Sequence, residues 1–134
     1  MKNKILTIFL SIFFFGCEMD KKIDIVVIAN DGDSPLIIVT QPHKVITDSL
    51  LYHEYVGETT FGAREVRTIS LPLFTLHSLP DSEKMYLFIF NLDSIQKFRN
   101  DKRIDGIFRK SLIKEISVQL NKVDDNLDTI YVNK

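Results

Sequence analysis

The feature that most constrains the fold is the segment MYLFIF at residues 85–90, where apolar side chains follow one another without interruption. Successive residues of a β-strand point to opposite faces of the sheet, so this segment is apolar on both faces. Such a strand is typical of the centre of a sheet rather than of its edge. The sequence therefore predicts a central strand here.

Five other segments have the composition of strands, with β-branched apolar residues in runs or alternating with polar ones. One of them contains Pro72, which marks a strand end or an edge. Another has Ile116, Val118 and Leu120 in alternation, which indicates a half-exposed strand. The five segments are residues 23–29, 36–40, 63–73, 116–120 and 127–132.

The six residues Asn-Asp-Gly-Asp-Ser-Pro at 30–35 are turn formers between two of these strands. They predict a hairpin or a short corner between sheets. Asp31 and Asp33 offer two carboxylates, as a calcium loop would. The third oxygen ligand before the glycine and the distant glutamate of such a loop are missing, so we favour the turn.

A helix is indicated mainly by DSIQKFRNDKR at residues 93–103. Asp93 is expected to cap its N-terminus, with Gln96 as the capping-box partner three residues later. Ile95 and Phe98 then lie on one side of the helix.

Strands separated by turns, with one short helix, favour a mainly β fold over a helix bundle or a parallel α/β fold. We expect an antiparallel β-sandwich, with an immunoglobulin-like arrangement as the preferred version and a small α+β sheet as the alternative. The immunoglobulin-like version depends on strand spacing alone, because the chain has one cysteine and no tryptophan.

The N-terminus has the layout of a secretory signal. Two lysines precede a mainly apolar run at residues 5–15, and Gly16-Cys17 follows. A helix that spans a bilayer needs about 20 apolar residues, so this run is too short for one. We expect residues 1–16 to be a signal peptide that is removed, and residues 17–22 to be a modified cysteine and a tether.

Two interpretations compete for Cys17. In the first, it is an unpaired thiol near an ordinary secretory cleavage site. In the second, Gly16 and Cys17 resemble the end of a bacterial lipobox, in which a small residue precedes the cysteine whose thiol receives a diacylglycerol. We favour lipidation, by palmitate or a similar acyl chain. Since each buried CH₂ contributes about 0.8 kcal/mol, two or three acyl chains hold a protein at a membrane.

Residues 23–134 are expected to form one domain. Without the signal peptide the chain keeps 15 basic and 18 acidic residues, a formal charge of −3. A mildly acidic domain has no general attraction for nucleic acid, so no nucleic-acid partner is expected. A basic run at residues 97–110 is interrupted by Asp101 and Asp105 and has no evident aromatic stacking platform, which indicates a solvated face.

The chain combines the lipobox, an early strand with an Asn/Asp-rich turn, the segment LFIFNLDSIQKF at residues 87–98 and the tail EISVQLNKVDDNLDTIYV at residues 115–132. In this order these elements resemble a group of small lipoproteins of unknown function from Bacteroides-like bacteria. Glu18 and Asp20, just after the cysteine, resemble a signal for export to the outer surface. The resemblance implies an outer-membrane lipoprotein that faces the surface or the periplasm, and it brings no catalytic residues.

No residue pattern indicates catalysis, a metal or a cofactor. His43, His53 and His77 lie in expected loops without the spacing of a metal site. Nucleophile elbows and phosphate-binding glycine loops are missing. We therefore expect a non-enzymatic protein without cofactors, with a small hydrolase-like enzyme as an alternative.

The segment LLYHEYVGETTFG at residues 50–62 has the composition of a recognition loop. Tyr52, Tyr55 and Phe61 supply contact area, and two glycines let a loop adapt. A protein or glycan is the expected partner. The competing interpretation, which we favour, is a strand whose aromatic residues pack inward.

Three Asp-Ser/Thr-apolar triplets, which begin at Asp48, Asp93 and Asp128, resemble the O-glycosylation acceptor of exported proteins in Bacteroides-like bacteria. Ser49 is the best candidate because we expect it in a loop. Together these observations predict a lipid-anchored envelope protein that acts through surface binding or assembly. A purely structural envelope component is a further alternative.

Overall fold

A computed structural model describes residues 22–53, 58–72, 84–120 and 127–132. The described residues form seven strands and three helices. The strands are β1 (Lys22–Asn30), β2 (Leu36–Gln41), β3 (Glu58–Phe61), β4 (Val66–Pro72), β5 (Lys84–Asn91), β6 (Leu112–Gln119) and β7 (Thr129–Val132). The helices are α1 (Asp48–His53), α2 (Leu92–Asn100) and α3 (Ile107–Ser111).

The strands form two sheets. Sheet A has the order β4-β1-β7, with β1 antiparallel to β4 and parallel to β7. Sheet B has the order β3-β2-β5-β6, and its neighbouring strands are all antiparallel. The predicted mainly β fold is therefore confirmed.

The main hydrophobic core contains residues of both sheets. Ile25 and Ile28 of β1 meet Leu36 and Ile38 of β2 there, and all four are at most 4% exposed. Phe61 of β3 is fully buried in the same cluster. Since burial of such a side chain contributes roughly 1.5–3 kcal/mol, this core is the main source of stability for the pair of sheets.

Strand β5 is buried on both faces, as the sequence predicted. Met85, Leu87 and Ile89 belong to the core between the sheets, whereas Phe88 and Phe90 point the other way, into a second cluster. In sheet B this strand lies between β2 and β6. The prediction of a central strand is confirmed.

The second cluster lies between sheet B and a layer of three helices. Leu51 of α1, Phe98 of α2 and Ile107 of α3 pack there against the two phenylalanines of β5. The sequence predicted one helix around residues 93–103, and α2 is that helix. The other two helices make the fold a β-rich α+β fold, which was the alternative.

Helix α2 is capped by a different residue from the one predicted. Asn91 is the N-cap, and its side-chain oxygen accepts a hydrogen bond of 2.9 Å from the backbone N–H of Ser94. Asp93 lies inside the first turn, where its charge interacts favourably with the helix dipole. The predicted burial of Ile95 and Phe98 on one side is confirmed.

The turn after β1 is a corner between the sheets and not a hairpin, because β1 and β2 belong to different sheets. The side chain of Asn30, 1% exposed, holds this corner. Its amide nitrogen donates to the carbonyl oxygens of Ser34 (2.9 Å) and Gly62 (2.8 Å), and its oxygen accepts from the N–H of Gly32 (3.1 Å). One amide therefore joins the corner to the β3–β4 turn.

The remaining predicted strands are also present. Ile116 and Val118 of β6 are partly buried against the main core, as the alternation indicated. Pro72 is the last residue of β4. The C-terminal strand is shorter than predicted, since β7 begins at Thr129.

Candidate functional site

The structure separates the three aromatic residues that were predicted to contact a partner. Phe61 is 0% exposed in β3, so it is not available to a partner, and its predicted role in a binding surface is corrected. Tyr52 lies in α1 and is half-buried against the second cluster. Tyr55 lies outside the described residues. The interpretation in which aromatic side chains pack inward is right for Phe61.

Ser49 lies in the first turn of α1 and not in a loop, which corrects its predicted environment. It is exposed, and it lines a shallow groove of about 370 Å³ with Thr47, Leu50 and His53. Its modification by a glycan stays a prediction. Cys17, the predicted lipidation site, lies outside the described part of the chain.

The two histidines within the described residues belong to no metal-binding group. His43 and His53 are exposed, and His77 lies outside the described residues. Across residues 22–53, 58–72, 84–120 and 127–132, no group of three or more His, Cys, Asp or Glu side chains is arranged to hold a metal ion.

A cleft lies on the helical layer, along α2, the turn that follows it and Lys110 of α3. It has a volume of about 260 Å³. We call it the α2–α3 groove, and its lining residues are Ser94, Lys97, Phe98, Asp101, Arg103 and Lys110. Three of these six side chains are cationic.

The end of α2 places Arg103 at this groove. The N–H of Arg103 donates to the carbonyl oxygen of Phe98 (2.9 Å), and the N–H of Lys102 donates to that of Arg99 (3.0 Å). Lys102 has φ 52°, in the left-handed region. These two bonds and this conformation are a Schellman motif, in which glycine is the usual left-handed residue. This chain has lysine at that position, so the left-handed conformation has a steric cost that glycine would avoid.

Phe98 is the aromatic floor of the groove. The Arg103 guanidinium carbon lies 5.5 Å from the centre of its ring, and the Lys110 ammonium nitrogen lies 5.9 Å from it. Both distances are within the range of cation–π attraction. Phe98 belongs to the basic run but is only 9% exposed, so it is no open stacking platform, and the exposure of Lys97, Arg103 and Lys110 agrees with the expected solvated face.

The start of α3 is fixed by a carboxylate from α1. The Asp48 oxygens accept hydrogen bonds of 2.7 Å from the N–H of Gly106 and 2.7 Å from the N–H of Phe108. Gly106 has φ 84°, which favours glycine. Arg99 also donates to the carbonyl oxygen of Leu51 in α1 at 2.6 Å. Hydrogen bonds therefore join α1 to α2 and to the start of α3, the two helices that contribute residues to the groove.

The cations of the groove have no carboxylate partner within the described residues. The ion pairs found there are Lys44–Glu115, Arg64–Asp33 and Arg67–Glu65, and all of them lie elsewhere. Asp101 supplies the one carboxylate among the lining residues. Three positive charges around one cleft give it a positive potential, which attracts anions.

The chain matches no known protein family, no curated protein and no solved structure. No helix among the described residues is long and apolar enough to cross a membrane.

Proposed function

We propose that this chain is a lipid-anchored protein of the bacterial cell envelope that acts by binding and not by catalysis, with the α2–α3 groove as its binding site for an anionic group. The observation that carries the proposal is the convergence of Lys97, Arg103 and Lys110 on one cleft without ion-pair partners in the described residues. The anion belongs to a protein or glycan partner or to a small molecule.

Anchoring is supported by the sequence of the N-terminus. A short basic segment, an apolar run and Gly16-Cys17 form the lipobox pattern. Lys22 begins β1, so the segment between Cys17 and the fold is short. We place the start of β1 near an outer-membrane leaflet, with the protein facing the surface or the periplasm.

The anchor then determines which end of the domain is displayed. The nine residues of β1 span ~30 Å at about 3.3 Å each, and the corner at Asn30 lies at the far end of this strand. The exposed pair Arg64–Asp33 lies at the same end, because Arg64 N–H donates to Gly32 of the corner (3.1 Å). We infer that this end faces away from the membrane.

Binding is favoured over catalysis by the chemistry of the groove. Its polar groups are three cations, the Asp101 carboxylate and the Ser94 hydroxyl. None of its lining residues is a histidine or a cysteine. Such a set holds and orients an anion, and among the described residues the Ser94 hydroxyl makes no hydrogen bond to a base that would activate it as a nucleophile.

The anchor is tested by metabolic labelling with a fatty acid. The parent protein should incorporate the label, and Cys17→Ser should not, because Cys17 is the only thiol of the chain. Absence of label from the parent, or its retention in the variant, contradicts lipidation.

The groove is tested by calorimetric titration with inorganic phosphate. The double change Arg103→Gln with Lys110→Gln should weaken binding by at least about tenfold, since charge-assisted hydrogen bonds contribute about 1.5–3 kcal/mol each. Arg109→Gln is the matched control, because Arg109 is exposed on α3 next to Lys110 and does not line the groove. Equal affinities for the double variant and the control would exclude the groove as the site.

A further inference from the structure

The α2–α3 groove contains two kinds of charged group, which have opposite roles in hydrogen bonding. Its three cations only donate hydrogen bonds, whereas the Asp101 carboxylate only accepts them. From this combination we infer that the groove binds a phosphate monoester whose neighbouring carbons carry hydroxyl groups, which is the chemistry of a sugar or polyol phosphate. This inference rests on the proposed anion binding and adds the class of ligand.

The charge of the lining favours a phosphate monoester. Lys97, Arg103 and Lys110 provide three positive charges and Asp101 one negative charge, so the lining has a net charge of +2. A phosphate monoester carries about −1.5 to −2 at neutral pH and balances this charge. A carboxylate carries one charge and leaves part of it uncompensated.

The position of Arg103 suits the three oxygens of a phosphate group. Its guanidinium is held beside the Phe98 ring by the end of α2 (5.5 Å to the ring centre). No acceptor in the described part of the chain takes a hydrogen bond from it, so its planar fork is free to make two parallel bonds to phosphate oxygens. The Lys110 ammonium, on the same ring, adds a point charge.

The Asp101 carboxylate explains why a bare anion is not the best ligand. The backbone N–H of Asp101 closes α2 by donating to Lys97 (3.0 Å), and this places its side chain at the same groove. A carboxylate repels a second anion but accepts hydrogen bonds from hydroxyl groups. The Ser94 hydroxyl, also in the lining, both donates and accepts.

The size of the groove agrees with a single small unit. Sites for drug-sized ligands have volumes of about 300–1,000 Å³. The α2–α3 groove, at about 260 Å³, is just below this range. It has room for a phosphate group and one sugar ring.

The test is calorimetric titration of the purified full chain with four probes: glucose 6-phosphate, inorganic phosphate, glucuronate and glucose. Glucose 6-phosphate should bind about tenfold more tightly than inorganic phosphate or glucuronate, and glucose should not bind. Equal binding of glucose 6-phosphate and inorganic phosphate overturns the hydroxyl part of the inference but leaves the proposed anion site intact. Absence of binding by every anion overturns both.

Two variants assign these contributions to residues. Asp101→Asn should reduce the preference for glucose 6-phosphate over inorganic phosphate, because the stronger acceptor for hydroxyl groups is lost while the repulsion of phosphate falls. Arg103→Gln should weaken both phosphates about tenfold. The matched control Arg109→Gln should bind all probes as the parent does. An unchanged preference in Asp101→Asn contradicts the assigned role of the carboxylate.

The methyl glycoside of glucose 6-phosphate distinguishes the two sources of such a ligand. If the methyl glycoside binds as tightly as free glucose 6-phosphate, the natural ligand is a phosphorylated unit within a glycan. The methyl group blocks the anomeric oxygen, as the next sugar does in a glycan chain. If the methyl glycoside binds tenfold more weakly than glucose 6-phosphate, the natural ligand is a free small molecule. Either result retains the sugar phosphate as the ligand class, whereas failure of both compounds to bind overturns it.

Discussion

The corner between the two sheets depends on one buried amide, and removal of this amide should be costly. Asn30 ends β1 and is 1% exposed, and its side chain makes three hydrogen bonds of 2.8–3.1 Å to backbone groups. The partners lie in two different turns, at residues 32–34 and at Gly62. Asn30→Ala removes all three bonds and adds no competing group.

The magnitude follows from these contacts. A typical intramolecular hydrogen bond contributes about 0.5–1.5 kcal/mol net, and a buried partner left unpaired costs more. Gly62 is exposed and Gly32 is half-buried, so water replaces part of what is lost. We therefore expect Asn30→Ala to lower the free energy of unfolding by about 2–4 kcal/mol, a large part of the 5–15 kcal/mol typical of a domain.

Asn30→Asp provides a stricter test of the same contacts. An aspartate keeps the oxygen that accepts from Gly32, but it turns a negative oxygen toward the carbonyl oxygens of Ser34 and Gly62. A buried charge without donors is more costly than a missing side chain. The aspartate variant should therefore be less stable than the alanine variant at neutral pH.

The measurement is urea unfolding followed by far-UV circular dichroism, because the chain has no tryptophan to report by fluorescence. Asp33→Asn is the control, since the exposed pair of Asp33 with Arg64 should contribute at most about 1 kcal/mol. If Asn30→Ala changes the free energy of unfolding by less than about 0.5 kcal/mol, as a surface substitution does, the amide does not hold the corner.

Three further predictions concern other parts of the fold. Lys102→Gly should raise the free energy of unfolding, measured by urea unfolding, by ~0.5–1 kcal/mol, because glycine avoids the steric cost of φ 52°. Lys102→Ala keeps the Cβ atom and should not raise the free energy of unfolding. Phe61→Ala should lower it by about 3–5 kcal/mol, and unchanged stability would contradict its burial. The N–H of Gly62 and the ion pair with Arg67 hold the pKa of Glu65 below its usual 4.5. Its stabilising contribution is therefore present above about pH 4.5 and lost as the pH falls through the folded-state pKa. The difference in Tm between the parent and Glu65→Gln should accordingly shrink below about pH 4.5, and a constant difference would contradict this role.

The parts of the fold that could be predicted are those with a strong local pattern. Residues 85–90 are apolar on both faces, and the structure buries both faces of β5. The turn at residues 30–35 was recognised, but the sequence did not decide between a hairpin and a corner. That choice depends on which strands pair, and β1 pairs with β4 and β7, which are distant in sequence.

The helical layer was only partly predictable. Helices α1 and α3 have six and five residues, too few to show a helical period. The cap of α2 was misplaced by two residues because Asn91 and Asp93 are both good N-cap residues. Asn91 has both roles at this junction, since it ends β5 and caps α2.

The groove could not be predicted because it depends on one unusual backbone conformation. Arg103 reaches Phe98, five residues earlier, because Lys102 is in the left-handed region. A glycine there would have indicated the Schellman motif. A lysine gives no such indication, so the sequence predicts the exposure of the basic run but not the groove within it.

The parallel pairing of β1 with β7 has a consequence for how the chain matures. Val27 pairs with Thr129, so the strand that leaves the ribosome first among the described elements meets its partner from the opposite end of the chain. Until β7 has been made, one side of β1 has no neighbour, and Val132 is missing from the main core. Contacts between such distant segments form slowly. Sheet A, and with it the main core, is therefore completed only after β7 has been made.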